Sequence, residues 1–281
     1  MTYSTLISAT TLAENIDNPN WIVFDCRFSL ADGEAGHKAY RQGHIPGARY
    51  AHLNNDLSSV VKSYTGRHPL PNFSVLAHQL GACGVGNRSQ VIVYDDAGGA
   101  FAGRMWWLLR TMGHHQVAVL DGGIGHWLKL GQPVTTSLPK VTPNSFRCYL
   151  DSSQWLSAEQ VENALAARRI VLLDARTPER FQGLQEPIDP VAGHVPKAVN
   201  RPFQNNLDRD GKFLTADRLK HQFQNLIGRH APSQVVHMCG SGITACHNLL
   251  AMEVAGLSGS KLYAGSWSEW IVNPNRAVAK I

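Results

Sequence analysis

The chain repeats itself, and no other feature constrains its fold as much. Val91-Ile92-Val93-Tyr94 leads into a loop, Asp95 to Phe101, then a helix-like stretch, Ala102 to Met112, and Gly113. Val235-Val236-His237-Met238 leads into Cys239 to Thr244, then Ala245 to Ala255, and Gly256. Counting back from these glycines, the copies lie 143 positions apart, and the same step takes Gly122 to Gly265 and Trp127 to Trp270. Upstream, Phe24-Asp25-Cys26-Arg27 pairs with Leu173-Asp174-Ala175-Arg176, and Gly43-His44-Ile45-Pro46 with Gly193-His194-Val195-Pro196. Four blocks repeating in the same order mean two copies of one folding unit.

The unit is α/β. Trp21–Asp25, Gln90–Tyr94, Val117–Leu120, Ile170–Asp174, Gln234–Met238 and Lys261–Tyr263 are short, nearly continuous apolar runs, the pattern of strands covered on both faces. Helical spacing appears over Phe73–Leu80, Ala102–Met112, Ser157–Ala167, Ala216–Ile227 and Ala245–Ala255, with Gly113, Gly228 and Gly256 as stops. Strands alternating with helices predict, in each half, a mainly parallel sheet with helices on both faces. A chain of 281 residues suits two domains. The stretch around 139–153 lacks periodicity, carries Pro139 and Pro143, and reads as the linker between a domain at 1–138 and one at 154–281.

Composition narrows the class. Apolar residues make up 43%, as in a packed globular protein. Net charge is +5 with a pI near 9.0, yet the longest basic cluster is Arg168-Arg169, which points to small anions and not to nucleic acid. No run of 18 apolar residues exists, so no membrane span is expected, and the start of the chain does not read as a secretion signal. The five cysteines form no CxxC pair, so neither a disulfide framework nor a metal site is expected, no cofactor is called for, and a reducing cytoplasm is the expected compartment.

One loop carries chemistry. Cys239-Gly240-Ser241-Gly242-Ile243-Thr244 lies between a buried strand and a helix start, the edge at which open α/β sheets bind ligands. Glycines let the backbone curl so that successive N–H groups face one point, and the helix adds the positive end of its dipole. A free thiol of pKa about 8.5 is only about 3% ionised at pH 7, and lowering such a pKa by two units takes about 2.7 kcal/mol. A helix dipole supplies roughly 0.3–1 kcal/mol, or about 2 when favourably buried, so loop N–H groups must supply the rest. Cys26, Cys83, Cys148 and Cys246 have no such setting and read as packing residues.

Cys239–Ala245 resembles the active-site loop of the rhodanese superfamily. Tyr40-Arg41-Gln42-Gly43-His44-Ile45-Pro46-Gly47-Ala48 is similar to its N-terminal signature, and Tyr263-Ala264-Gly265-Ser266-Trp267-Ser268-Glu269-Trp270 to its C-terminal one. The resemblance implies tandem rhodanese-like domains, an inert first and a catalytic second, with a persulfide on Cys239. Counting puts Asp96 where Cys239 stands, and Asp96 cannot carry sulfane sulfur. The family's chemistry is covalent, in two half-reactions: a small anionic donor gives sulfur to the cysteine, and cyanide or a thiol acceptor such as thioredoxin removes it. Thiosulfate enzymes usually place Arg and Lys after the cysteine. Gly240 and Ser241 are instead similar to 3-mercaptopyruvate sulfurtransferases, in which the serine helps polarise the donor. Thiosulfate remains the alternative donor. By resemblance Asp56 completes a relay with Ser241, His68 borders the same cleft, Arg180 binds substrate, and Gly240, Gly242, Ile243 and Thr244 form the cradle. A guanidinium suits a carboxylate because it can grip it with two parallel bonds. The chain departs from the mercaptopyruvate pattern after Glu186-Pro187, where Ile188 and Asp189 stand in place of a second arginine.

Three rival readings have sequence tests. A cysteine phosphatase needs Cys-x5-Arg, but Ala245 stands at that place. A Cys–His hydrolase needs a histidine base, and His237, the neighbouring candidate, alternates with strand residues and should face the sheet. A non-catalytic binding protein with two worn domains fits the first half, while the second retains its cysteine and glycines. His44 and His194 occur in both halves and are expected to cap backbone groups.

Overall fold

The structure is a computed structural model and describes residues 2–281. Each half forms a five-stranded, all-parallel sheet. The first sheet comprises β1 (Leu6–Ile7), β2 (Trp21–Asp25), β3 (Arg49–Tyr50), β4 (Gln90–Tyr94) and β5 (Val117–Leu120), in the order β1-β5-β4-β2-β3. The second comprises β6 (Trp155–Leu156), β7 (Val171–Asp174), β8 (Val199–Asn200), β9 (Val235–Met238) and β10 (Lys261–Tyr263), in the order β6-β10-β9-β7-β8. The central strands are the continuous apolar runs, and every residue of β4, β5 and β9 is buried. Helices Phe73–Ala82, Ala102–Thr111, Ala158–Ala166, Ala216–Ile227 and Thr244–Val254 lie where helical spacing predicts them. Asn72 caps the first of these by accepting the N–H groups of Ser74 and Val75, and Ser157 and Gln160 form a reciprocal capping box on the third. The two-residue edge strands and the short helices Ala35–Gln42, Gly123–Lys129, Pro178–Gln182 and Ser266–Trp270 escape a period-based reading, because they are too short to show a period.

The chain divides into two compact units that do not follow its midpoint. The first contains residues through Ser59, Leu70–Asp151 and Arg209–Phe213; the second contains Val60–Pro69, Ser152–Asp208 and Leu214–Ile281. Val60–Pro69, although it comes from the first half of the sequence, thus belongs with the second unit. The stretch 139–153 lies along the first unit, with Asn144 N–H bonded to Gly81 O and Tyr149 N–H to Met112 O.

The duplicated motifs are scaffold. Arg27 grips Asp25 and donates to Gly43 O at 2.7 Å; Arg176 grips Asp174 and donates to Gly193 O at 2.8 Å. His44 stacks on Tyr40 and its Nδ1 meets Tyr40 O at 2.8 Å. His194 stacks on Phe181 and meets Phe181 O at the same distance. Both histidines cap a helix carbonyl, the backbone role expected of a residue present in both copies.

Candidate active site

The site forms where β9 ends and helix Thr244–Val254 begins. Its loop is pinned from below by the turn after β10. Cys239 N–H donates to Ser266 Oγ at 3.0 Å, Trp267 N–H to Cys239 O at 3.0 Å, and Ser268 N–H to Gly240 O at 2.9 Å. Gly242 has φ +79°, and a Cβ there would come within 2.2 Å of Ala264 O, so no other residue fits this position. Cys239 is 2% exposed and Ser241 5%.

Val60–Pro69 reaches this loop through Gly66, whose Cα packs so tightly against the Gly265 carbonyl that a Cβ would sit 2.5 Å from it. Arg67 N–H then donates to Ser268 Oγ at 3.1 Å, and the buried His68 ring places Nδ1 2.7 Å from Ser241 Oγ. Ser241 and His68, both candidates from sequence, are therefore hydrogen-bonded. Asp56 belongs to the first unit, where its carboxylate accepts the His52 N–H at 2.7 Å.

Arg180 lies beside the loop as one member of an alternating chain of charges. Asp174 pairs with Arg176 at 2.8 Å, Arg176 with Glu186 at 3.3 Å, Glu186 with Arg180 at 2.8 Å, and Arg180 with Asp189 at 3.0 Å; Asp189 in turn holds Arg67. A Cβ on Gly240 would lie 2.8 Å from Arg67 Nη2 and 3.4 Å from Arg180 Nη1, so both guanidiniums cover this residue. Burial lowers the Arg67 guanidinium from its ordinary value; the Cys239 group pulls it up and the Arg180 cation pushes it further down. Sequence reading missed Arg67, Asp189 and Glu186 as site residues. The signal for Arg67 was its place next to His68.

The remaining thiols have other environments. Burial, helped by Asp25, Asp95 and Asp56, pushes the Cys26 thiol well above its usual value, and burial also raises Cys83 and Cys148. Cys246 donates to Gly242 O inside the helix. His237 is fully buried, its Nε2 3.1 Å from Met252 Sδ and its ring edge-on to Phe223. Burial depresses its pKa to about 3, so it stays neutral in the sheet.

The strand registers correct the count between the two loops. Asp25 pairs with Tyr94 as Asp174 pairs with Met238, and Ile124 N–H donates to Asp95 O as Trp267 N–H donates to Cys239 O. Asp95, not Asp96, is the counterpart of Cys239, because the first half holds one more residue between this position and the helix-ending glycine, Gly113 against Gly256. The Asp95 carboxylate, fully buried, accepts four loop N–H groups: Ala97 and Gly99 on Oδ1 at 2.9 and 2.8 Å, Phe101 and Ala102 on Oδ2 at 2.8 and 2.9 Å. The first unit thus shows what this loop design does: it binds an anion carried by its first residue.

Comparison with known proteins bears on the same chain regions. A family model described as a rhodanese-like domain matches residues 8–130 and again 157–273. A Pseudomonas aeruginosa protein named probable 3-mercaptopyruvate sulfurtransferase is 45% identical, covering 99% of this chain and 99% of its own length. The thiosulfate sulfurtransferase of Rattus norvegicus is 34% identical over 95% of this chain and 92% of its own. Among solved structures, SseA from Escherichia coli, described as a 3-mercaptopyruvate sulfotransferase of rhodanese fold, aligns with a TM-score of 0.82 at 29% identity, covering 95% of this chain and all of that one.

Proposed function

The chain belongs to the rhodanese family, with two rhodanese-like domains in tandem, and from that premise we propose that it is a sulfurtransferase moving sulfane sulfur from 3-mercaptopyruvate through a Cys239 persulfide to a thiol or to cyanide. The observation that carries the donor reading is the loop's composition in its setting: Gly240 lies under two guanidiniums and Ser241 is hydrogen-bonded to His68. The Arg-Lys pair of thiosulfate enzymes has no room at 240 unless Arg67 moves. Three arginines, Arg67, Arg176 and Arg180, already face three carboxylates, Asp174, Glu186 and Asp189, so little positive charge is left over for a dianion. A monocarboxylate donor suits that balance.

In the first half-reaction the Cys239 thiolate attacks the donor's sulfur. The C–S bond breaks, its electron pair stays on carbon as the enolate of pyruvate, and a proton completes pyruvate. Ser241, held by His68, donates a hydrogen bond to the developing enolate oxygen. Arg180 binds the donor's carboxylate. The loop N–H groups and the dipole of helix Thr244–Val254 stabilise the persulfide anion, as the matching loop stabilises the Asp95 carboxylate. In the second half-reaction an acceptor thiolate, thioredoxin being the candidate in a reducing cytoplasm, attacks the outer sulfur and releases Cys239.

Specificity constants for 3-mercaptopyruvate and thiosulfate, measured under the same conditions, test the reading. kcat/KM should favour 3-mercaptopyruvate, and a clear preference for thiosulfate overturns the donor assignment.

A further inference from the structure

The chain lacks the arginine that mercaptopyruvate enzymes often place after Glu-Pro; Ile188 and the acidic Asp189 follow Glu186-Pro187 instead. Charge at that point is reversed, yet a guanidinium still arrives, from the other side of the loop. Arg67 comes in on the segment docked by Gly66 and gives its Nη1 to Asp189. Three other arginines show how the opposite edge of the group, Nε and Nη2, is used. That edge grips Asp25 in Arg27, Asp174 in Arg176 and Glu186 in Arg180, each as a two-point grip on one carboxylate. In Arg67 the edge is unengaged: Nε is buried without a partner among the described residues, and Nη2 lies 2.8 Å from the point where a Gly240 Cβ would be. The Arg67 side chain is 28% exposed, so a small anion can reach it, while Asp189 is nearly sealed at 3%.

We infer that Arg67, held in place by Asp189, is a second donor-binding residue, gripping the donor's carboxylate through its free Nε and Nη2 edge next to Cys239. Asp189 is then a positioning residue, which holds a guanidinium from Val60–Pro69 beside the Cys239 loop. The inference rests on the carboxylate-donor reading above.

Alkylation of Cys239 tests it without any sulfur donor. Iodoacetate and iodoacetamide react with the same sulfur, and only the first carries a carboxylate. The ratio of their rate constants on the full chain should fall about tenfold in Arg67→Gln. Arg67→Lys, which retains the charge but cannot form the two-point grip, should fall about threefold, and it gives the reading if Arg67→Gln does not fold. With 3-mercaptopyruvate, Arg67→Gln should raise KM about 10- to 100-fold and leave kcat nearly unchanged. A ratio that stays at the wild-type value in both variants, with iodoacetamide still alkylating Cys239, overturns the inference. Wild-type protein that does not use 3-mercaptopyruvate defeats the donor reading instead, whatever the alkylation ratio shows.

Discussion

Asp95 and Cys239 occupy equivalent positions in two loops of one design. Each follows the central strand of its sheet, and each is fixed from below by an N–H from the turn after the neighbouring strand, Ile124 in one case and Trp267 in the other. In the first unit the loop closes on its own carboxylate, and four N–H groups are satisfied internally. In the second, the residue at that place has a single sulfur atom, the next residue, Gly240, lies under Arg67 and Arg180, and Ser241 is hydrogen-bonded to His68. A self-filled anion site is stable and inert; the same site with a thiol is open to chemistry. The difference teaches that one loop design can hold an anion of its own or present a thiol, and that the side chains gathered beside the loop, not the loop alone, set the two units apart.

The largest effect expected from breaking this comparison is on turnover. Cys239→Ser should lower sulfur transfer to cyanide by about 10³-fold or more with either donor, since the covalent intermediate is lost. Single serine substitutions of Cys26, Cys83, Cys148 and Cys246 should leave substantial activity in whatever protein folds. Asp95→Cys combined with Cys239→Ser should restore no turnover, because Arg67, His68, Arg180 and Ser241 all stand in the second unit.

Stability should respond in the opposite sense at the two positions. Asp95→Ala leaves four N–H groups facing nothing and should cost about 3–5 kcal/mol in urea unfolding. Cys239→Asp, which would supply the second loop with the group the first one has, should be inactive but about 1–2 kcal/mol more stable than Cys239→Ala. A loss of stability on Cys239→Asp would show that the two cradles are not equivalent.

Donor choice gives the next effect. Gly240→Arg with Ser241→Lys should shift the kcat/KM ratio toward thiosulfate by about 10- to 100-fold, as two cations come close to a dianion. The obstacle in this variant is Arg67, which a side chain at 240 must displace; backbone strain is no obstacle, since the positive φ belongs to Gly242 and not to Gly240. An unchanged ratio would put donor choice elsewhere than in these two residues.

A pH-dependent effect distinguishes the two central strands. Val93 in β4 is the counterpart of His237 in β9, by their pairing with Phe24 and Leu173. Burial holds His237 near pKa 3 against an ordinary 6.5. Below pH 6.5 the unfolded chain therefore binds a proton that the folded chain refuses. Stability is fully present above that pH and declines toward pH 3, with a slope of about 1.4 kcal/mol per pH unit in the middle of that window. His237→Val should flatten the acid limb of a stability–pH curve by that slope; an unaltered limb would mean the ring is protonated in the folded protein.

Much of this was legible in the sequence. Continuous apolar runs became the central strands, helical spacing became the longer helices, and Cys239 stood out because glycines flank it at a strand end. The segment exchange was hidden, because Val60–Pro69 joins the second unit through the close approach of Gly66 to Gly265 and through side-chain contacts of Arg67 and His68, and no periodicity records such contacts. Asp95 was misread as the neighbour of Cys239's counterpart, since a single extra loop residue is invisible to counting from the helix side. Arg67 and Asp189 acquire meaning only as a pair, 122 positions apart in sequence.

Sulfur loading is the most direct test of the central claim. The full chain is treated with 3-mercaptopyruvate in the absence of an acceptor, the released pyruvate is quantified, and the protein is digested for mass spectrometry. The account predicts one added sulfur, on the peptide containing Cys239, with an equal amount of pyruvate. Added sulfur on Cys246 or Cys26, or pyruvate release with Cys239 unmodified, would contradict it.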